Sequence, residues 1–231
     1  MIQVEYKIAI AGENSLIIYF NDRASDRNSA LIAEAVNNLR VSIGCFIIDL
    51  IPSYASLLVI YDSLLTDHYL IKMEIEKSLK KTACTMSTNN GTLVELPVYY
   101  SPESGPDLQS LSKFFGLSTQ EIIELHQSID YRVYAMGFAP GFAYLGEIDS
   151  RIAAPRLKTP RLKVPAGSVA IADRQTAVYP CQSPGGWNLI GLCPETMFDI
   201  AKTPPTPIKV GDRVRFQQVT RREYMALGGE I

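Results

Sequence analysis

The residue types best able to do chemistry crowd into one stretch of this 231-residue chain, Tyr134 to Gly191. It opens on Gly137-Phe138-Ala139-Pro140-Gly141-Phe142-Ala143-Tyr144-Leu145-Gly146, three glycines and three aromatics in ten residues. Glycine lets backbone approach a ligand, and rings supply an apolar wall, for which Phe142 and Tyr144 are the candidates. Aromatics beside turns also close the end of an ordinary barrel. No helix follows, so this is not a dinucleotide fingerprint.

A five-residue repeat comes next: Pro155-Arg156-Leu157-Lys158-Thr159, then Pro160-Arg161-Leu162-Lys163-Val164, then Pro165. Proline keeps such a chain extended. Residues two apart then share a side, so Arg156 goes with Lys158 and Arg161 with Lys163. From Arg151 to Ala172 there are five cations and no acid. That local field suits phosphate or carboxylate, which arginine grips through a planar fork. A solvated loop would carry the same charges.

Val164-Pro165-Ala166-Gly167-Ser168 and Ser183-Pro184-Gly185-Gly186-Trp187-Asn188 complete the stretch, the second with the only tryptophan. Gly185 and Gly186 could offer backbone donors beside the Trp187 ring, and Ser168 a hydroxyl. A tryptophan filling the core is an equally fair reading. His126 is the sole candidate general base in this half, whereas His68 reads as a surface residue. No nucleophile elbow surrounds Ser168 or Ser183, so a self-sufficient serine hydrolase is not supported. No Gly-Lys-Ser/Thr loop occurs, so ATP would not be held by that device. Cys45, Cys84, Cys181 and Cys193 are too widely spaced for a zinc site and read as reduced, mostly buried thiols.

Proline and glycine divide the elements that must position these residues. Residues 1–90 hold one proline and two glycines, and residues 91–231 hold thirteen of each. The first part is expected to be a small α/β domain over 1–88. Strands are expected at Gln3–Ile10, Ser15–Phe20, Cys45–Ile51 and Ser56–Tyr61. Helices are expected over Ser25–Arg40 and after Thr66 or Asp67, the latter with Ile71, Ile75 and Leu79 on one face. Thr85 to Gly91 reads as a linker. The second part, 92–231, opens with a strand at Thr92–Tyr100 and two short helices. Gly116 ends the first, and Ser118 and Glu121 form a capping box for the next. From Tyr131 short apolar runs alternate with turns, the signature of a β-barrel or sandwich. The class is therefore α+β.

Charge and hydropathy exclude other classes. The net charge is −2, too little cation for a general nucleic-acid coat. The two short helices, tested as a helix–turn–helix, carry Glu121 and Glu124 where phosphate would lie. The most apolar run, Val41 to Ile60, is broken by Asp49, Pro52 and serines and does not read as a membrane span. The start lacks a basic segment leading into an apolar core, so no signal peptide is read there, and a cytoplasmic protein is expected.

Taken together, Gly105-Pro106-Asp107-Leu108, Leu125-His126, Gly137 to Phe142, Pro155-Arg156, Pro160-Arg161, Pro165 to Ser168, Tyr179-Pro180 and Ser183 to Gly191 resemble the 5-oxoprolinase B-subunit (PxpB) family, formerly labelled allophanate hydrolase subunit 1. Gly12 to Leu16 and Pro52 to Leu57 extend the resemblance to the first part. It departs at Tyr100 to Ser104 and at Leu192-Cys193-Pro194. The resemblance implies a cyclophilin-like β-barrel in the second part. It also implies two partners, the C-subunit (PxpC, KipA-like) and the A-subunit of the enzyme, and an ATP-dependent opening of 5-oxo-L-proline to L-glutamate by the assembled subunits. No metal is implied. On that reading Arg156 and Arg161 are the expected anion clamps, Lys158 and Lys163 add charge, Gly185 and Gly186 donate, and His126 is a base or orienting group. The family also includes an inhibitor of a sporulation histidine kinase (KipI), so kinase inhibition is the alternative.

Overall fold

The computed structural model describes residues 5–20, 25–82 and 91–231. The expected linker therefore lies outside the described residues apart from Gly91, as do Cys84 and the start of the first expected strand. The chain divides into two compact units, Met1–Asn90 and Gly91–Ile231.

In the first unit β1 (Lys7–Gly12) and β2 (Ser15–Tyr19) form a hairpin, and α1 (Asp26–Ile43) follows. The Ser25 hydroxyl accepts from the Asn28 N–H and satisfies one of the helix's free donors. Gly44–Phe46 form a single 3-10 turn where a strand is expected to begin, so β3 runs only over Ile47–Pro52. Next come β4 (Ser56–Tyr61) and α2 (His68–Thr82), whose first turn is capped by Asp67 through the Leu70 N–H. The sheet order is β1-β2-β4-β3, all antiparallel. Ile18, Leu57 and Val59 bury one sheet face together with Leu39, Ile71, Ile75 and Leu79 of the helices. His68 differs from expectation: it is half-buried, and its ring nitrogen hydrogen-bonds the Tyr61 hydroxyl.

The second unit runs β5 (Leu93–Val98), α3 (Leu108–Phe115), α4 (Thr119–Gln127), β6 (Tyr131–Met136), β7 (Ala143–Gly146), β8 (Arg161–Val164), β9 (Ser168–Ala172), β10 (Gln175–Val178), β11 (Ser183–Gly185), β12 (Asn188–Leu192), β13 (Arg213–Gln218) and α5 (Arg221–Ala226). Gly116 ends α3 with φ of 69°, a conformation that favours glycine. The Ser118–Glu121 capping box opens α4 as expected. Seven strands form one sheet in the order β12-β9-β10-β7-β6-β13-β5. Its ends meet where Tyr99 and Leu192 exchange backbone hydrogen bonds of 2.8 and 3.0 Å, so the sheet nearly closes into a barrel. β8 and β11 pair apart from it as a two-stranded ribbon.

The pleat sorts residues to the two faces. Along β9, Val169 and Ile171 enter the barrel core with Leu96, Val133, Leu145, Val214 and Phe216, which α3 and α4 help seal. Ala170 and Ala172 face outward, into a second apolar cluster with Phe142, Val164, Ala177, Tyr179, Trp187 and Leu189. This second cluster positions the candidate site.

Candidate functional site

The five-residue repeat crosses this outer cluster. The Leu157 N–H donates to the Gly186 carbonyl at 2.7 Å, and Gly185 pairs with Arg161 in the β8–β11 ribbon. Gly185 is required there, because a Cβ would sit 2.3 Å from the Tyr179 hydroxyl. The ring of Phe142 packs edge-to-face against Tyr144 (4.9 Å between centroids), Tyr179 (5.4 Å) and Trp187 (5.8 Å). Phe138 adds an exposed ring beside Phe142 and Tyr179, on a backbone with φ of 73° that bulky residues rarely adopt.

Two arginines meet the aromatic cluster differently. The Arg156 guanidinium lies 5.8 Å from the centroid of the Trp187 ring, a cation–π contact. Arg161 instead donates to the Asp107 carboxylate at 2.7 Å and reaches the Trp187 carbonyl at 3.5 Å. The other Asp107 oxygen accepts from the Leu189 N–H at 2.7 Å. Asp107 is mostly buried and makes no cap to the helix it precedes, so its carboxylate ties α3, β8 and β12 together. Tight packing at Gly105, whose Cβ would lie 2.3 Å from the Ile190 backbone, brings Asp107 to that position. Burial pushes the Tyr179 phenol up, against the opposing pull of Arg156 and a hydrogen bond with the Trp187 backbone.

The structure thus brings together Arg156, Arg161, Phe142, Tyr144, Gly185, Gly186 and Trp187. Lys158 joins Arg156 on the wall of a neighbouring groove, which the intervening Leu157 lines as well. Lys163 is exposed on β8. Gly186 serves the repeat as an acceptor, through its carbonyl. Ser168 is buried on the outward side of β9, and its hydroxyl makes no hydrogen bond among the described residues.

His126 is elsewhere, and here the expected general base needs correction. It is fully buried in the barrel, its ring stacked on Phe216 at 4.6 Å. The Thr176 hydroxyl donates to the Ala170 carbonyl, so it accepts from Nε2–H of His126, and Nδ1 accepts from Tyr100. Burial pulls its pKa down to about 3, so the ring is neutral and both nitrogens are occupied. It is not placed to exchange a proton with a ligand.

Tyr179 and Asp107 belong to the site and are not among the residues expected from sequence. Tyr179 alternates outward after inward Val178, and Asp107 follows a glycine that admits no side chain. Among the described residues no three of His, Cys, Asp and Glu cluster as metal ligands, and no helix is long and apolar enough to cross a membrane. The thiols also differ from expectation: of the three among the described residues, Cys45 and Cys181 are exposed and Cys193 is buried, its pKa pushed up to about 12 by desolvation.

Known proteins share both the sequence and the fold. Residues 6–208 match the family described as "Carboxyltransferase domain, subdomain C and D". The 5-oxoprolinase B-subunit of Bacillus subtilis (strain 168) is 37% identical over 233 residues, covering 96% of this chain and 97% of that protein. A crystal structure of TTHA0988 aligns at a TM-score of 0.77 with 33% identity, over 89% of this chain but only 40% of that one. The urea amidolyase of K. lactis, at 13% identity, shares the fold with a TM-score of 0.73 over 96% of this chain and 15% of its own.

Proposed function

The chain belongs to the 5-oxoprolinase B-subunit family, within the carboxyltransferase subdomain C and D family, and on that footing we propose that it is one component of an ATP-dependent 5-oxoprolinase. The observation that carries this is similarity, along nearly the whole of both chains, to a relative named as that component. The chain works with the C-subunit and the A-subunit of the enzyme, in the cytoplasm, and does not turn over alone. Histidine-kinase inhibition, the alternative reading, is not favoured by that name.

A lactam is a poor electrophile. Phosphoryl transfer from ATP to its oxygen activates the ring carbon. Water adds there, the ring C–N bond breaks with nitrogen leaving as the amine, and hydrolysis of the acyl phosphate yields L-glutamate and orthophosphate. In this reading the outer face of the barrel binds the anionic substrate or its phosphorylated form. Arg156 and Lys158 supply charge, and Lys163 adds to the field. Arg161, fixed by Asp107, holds the Trp187 segment in place. Phe142 and Tyr144 exclude water from the rings they pack against. Nothing in this chain resembles a P-loop, so the partners hold most of the ATP.

The test is glutamate formation from 5-oxo-L-proline and ATP by this chain alone, then with its two partner subunits. Activity in the mixture only is expected. No activity in a mixture shown to assemble overturns the proposal.

A further inference from the structure

Arg156 and Arg161 occupy equivalent places in the repeat but are held differently. Arg161 has a carboxylate partner in Asp107, which cancels its charge locally. Arg156 is exposed and, among the described residues, has no carboxylate partner; neither has Lys158. Both line a groove of about 260 Å³. Ser110, Leu111 and Phe114 of α3 line the same groove, together with Asn188. Phe114 is 65% exposed, unusual for a large ring that follows two buried leucines on the same short helix.

We infer that this groove is a carboxylate site for a small molecule with one carboxylate on a compact, largely apolar body. Arg156 takes the carboxylate through its planar fork, and Lys158 adds a second charge. Leu111 and Phe114 cover the body of the ligand, and Ser110 offers it a hydroxyl. A groove that combines two cations with the apolar Leu111 and Phe114 fits a monoanion better than a phosphate, whose further oxygens would be left against apolar lining. The inference rests on the proposed function only for its choice of 5-oxo-L-proline, a five-membered ring bearing one carboxylate.

Trp187 gives a direct reading of occupancy. It is the only tryptophan, and the Arg156 guanidinium lies against its ring. A carboxylate that draws Arg156 into the groove therefore changes Trp187 emission. The experiment titrates the full chain with 5-oxo-L-proline, with 2-pyrrolidone (the same ring without the carboxylate) and with inorganic phosphate. It is repeated for Arg156→Gln and Arg156→Lys. In parallel, KM for 5-oxo-L-proline is measured in the assembled complex.

A saturable change with 5-oxo-L-proline is expected, at least about tenfold weaker for both other probes. Arg156→Gln raises KM by at least about tenfold with kcat little changed, and Arg156→Lys recovers part of the loss. Equal binding of 2-pyrrolidone, tighter binding of phosphate, or an Arg156→Gln complex with unchanged KM overturns the carboxylate site while turnover leaves the oxoprolinase reading standing. An assembled complex without turnover, in which the Arg156-dependent emission change persists, overturns that reading and leaves the site.

Discussion

The two faces of the barrel sheet handle polar groups in opposite ways. Inside, Tyr100, His126, Thr176 and the Ala170 carbonyl form one hydrogen-bond chain, and the Tyr131 hydroxyl donates to the His126 carbonyl at 2.7 Å. Every donor in that chain is taken by a neighbour, so nothing is left for a ligand. Outside, among the described residues, the Ser168 hydroxyl is buried without a hydrogen-bond partner and the Arg156 guanidinium has a ring beneath it but no carboxylate. Groups of the same chemical kind are thus satisfied on one face and left without a hydrogen-bond or carboxylate partner, among the described residues, on the other. What separates them is whether the fold has already satisfied them.

Substitutions on either face would break this contrast. The largest effect is expected from His126→Ala, which empties a packed position and leaves Tyr100 and Thr176 short of a partner. A loss of about 3–5 kcal/mol is expected by urea denaturation. A variant that kept its stability but lost turnover in the complex would restore His126 as a functional base.

Next is pH. The folded His126 pKa of about 3 lies below the unfolded value near 6.5. The unfolded chain therefore binds the extra proton between these values. His126 contributes stability that is full above about pH 6.5 and is lost as pH falls toward 3, at up to about 1.4 kcal/mol per pH unit. Stability of wild type relative to His126→Gln, followed from pH 7 to 4, should decline accordingly. A flat difference would mean the ring is not desolvated.

Asp107→Ala probes the boundary between the faces. It leaves the Leu189 N–H unpaired and frees Arg161, whose side chain is 29% exposed, so water softens the effect. A loss of about 2 kcal/mol is expected by thermal or urea unfolding. Turnover of the complex should fall with it, because the Trp187 segment loses its anchor. Unchanged stability would show that α3 is held without this carboxylate.

The smallest effect is expected from Ser118→Ala, about 1 kcal/mol, since it removes one side of the capping box of the helix that carries His126. If hydrogen exchange in α4 were unaltered, the cap would not help fix the internal chain.

What is legible in the residues is what is local. Ser118 and Glu121 lie within one turn, and Gly116 stops α3 by its own conformation, so both helices can be read directly. The Asp107–Arg161 pair is hidden, because its members are 54 residues apart and Asp107 looks like a helix cap while making none. His126 passes for a general base because residue type says nothing about enclosure. Its spacing of four from Ile122, on one helix face with a fully buried residue, is the signal that places it inside. Strand order is not legible either, because it depends on pairings far apart in the chain.

The closing seam of the barrel sets an order on synthesis. β5 opens the second unit, yet its sheet partner is β13, and the Thr92 N–H finds the Asp212 carboxylate 120 residues later. A ribosome must therefore release nearly the whole unit before the first strand can pair. Until then β5 is an open edge with apolar Leu96 and Val98 uncovered, a natural target for a chaperone. Among the described strands of the first unit the farthest pairing joins Ser15 of β2 to Ile60 of β4, a much shorter reach along the chain, so that unit can finish folding while β5 still waits.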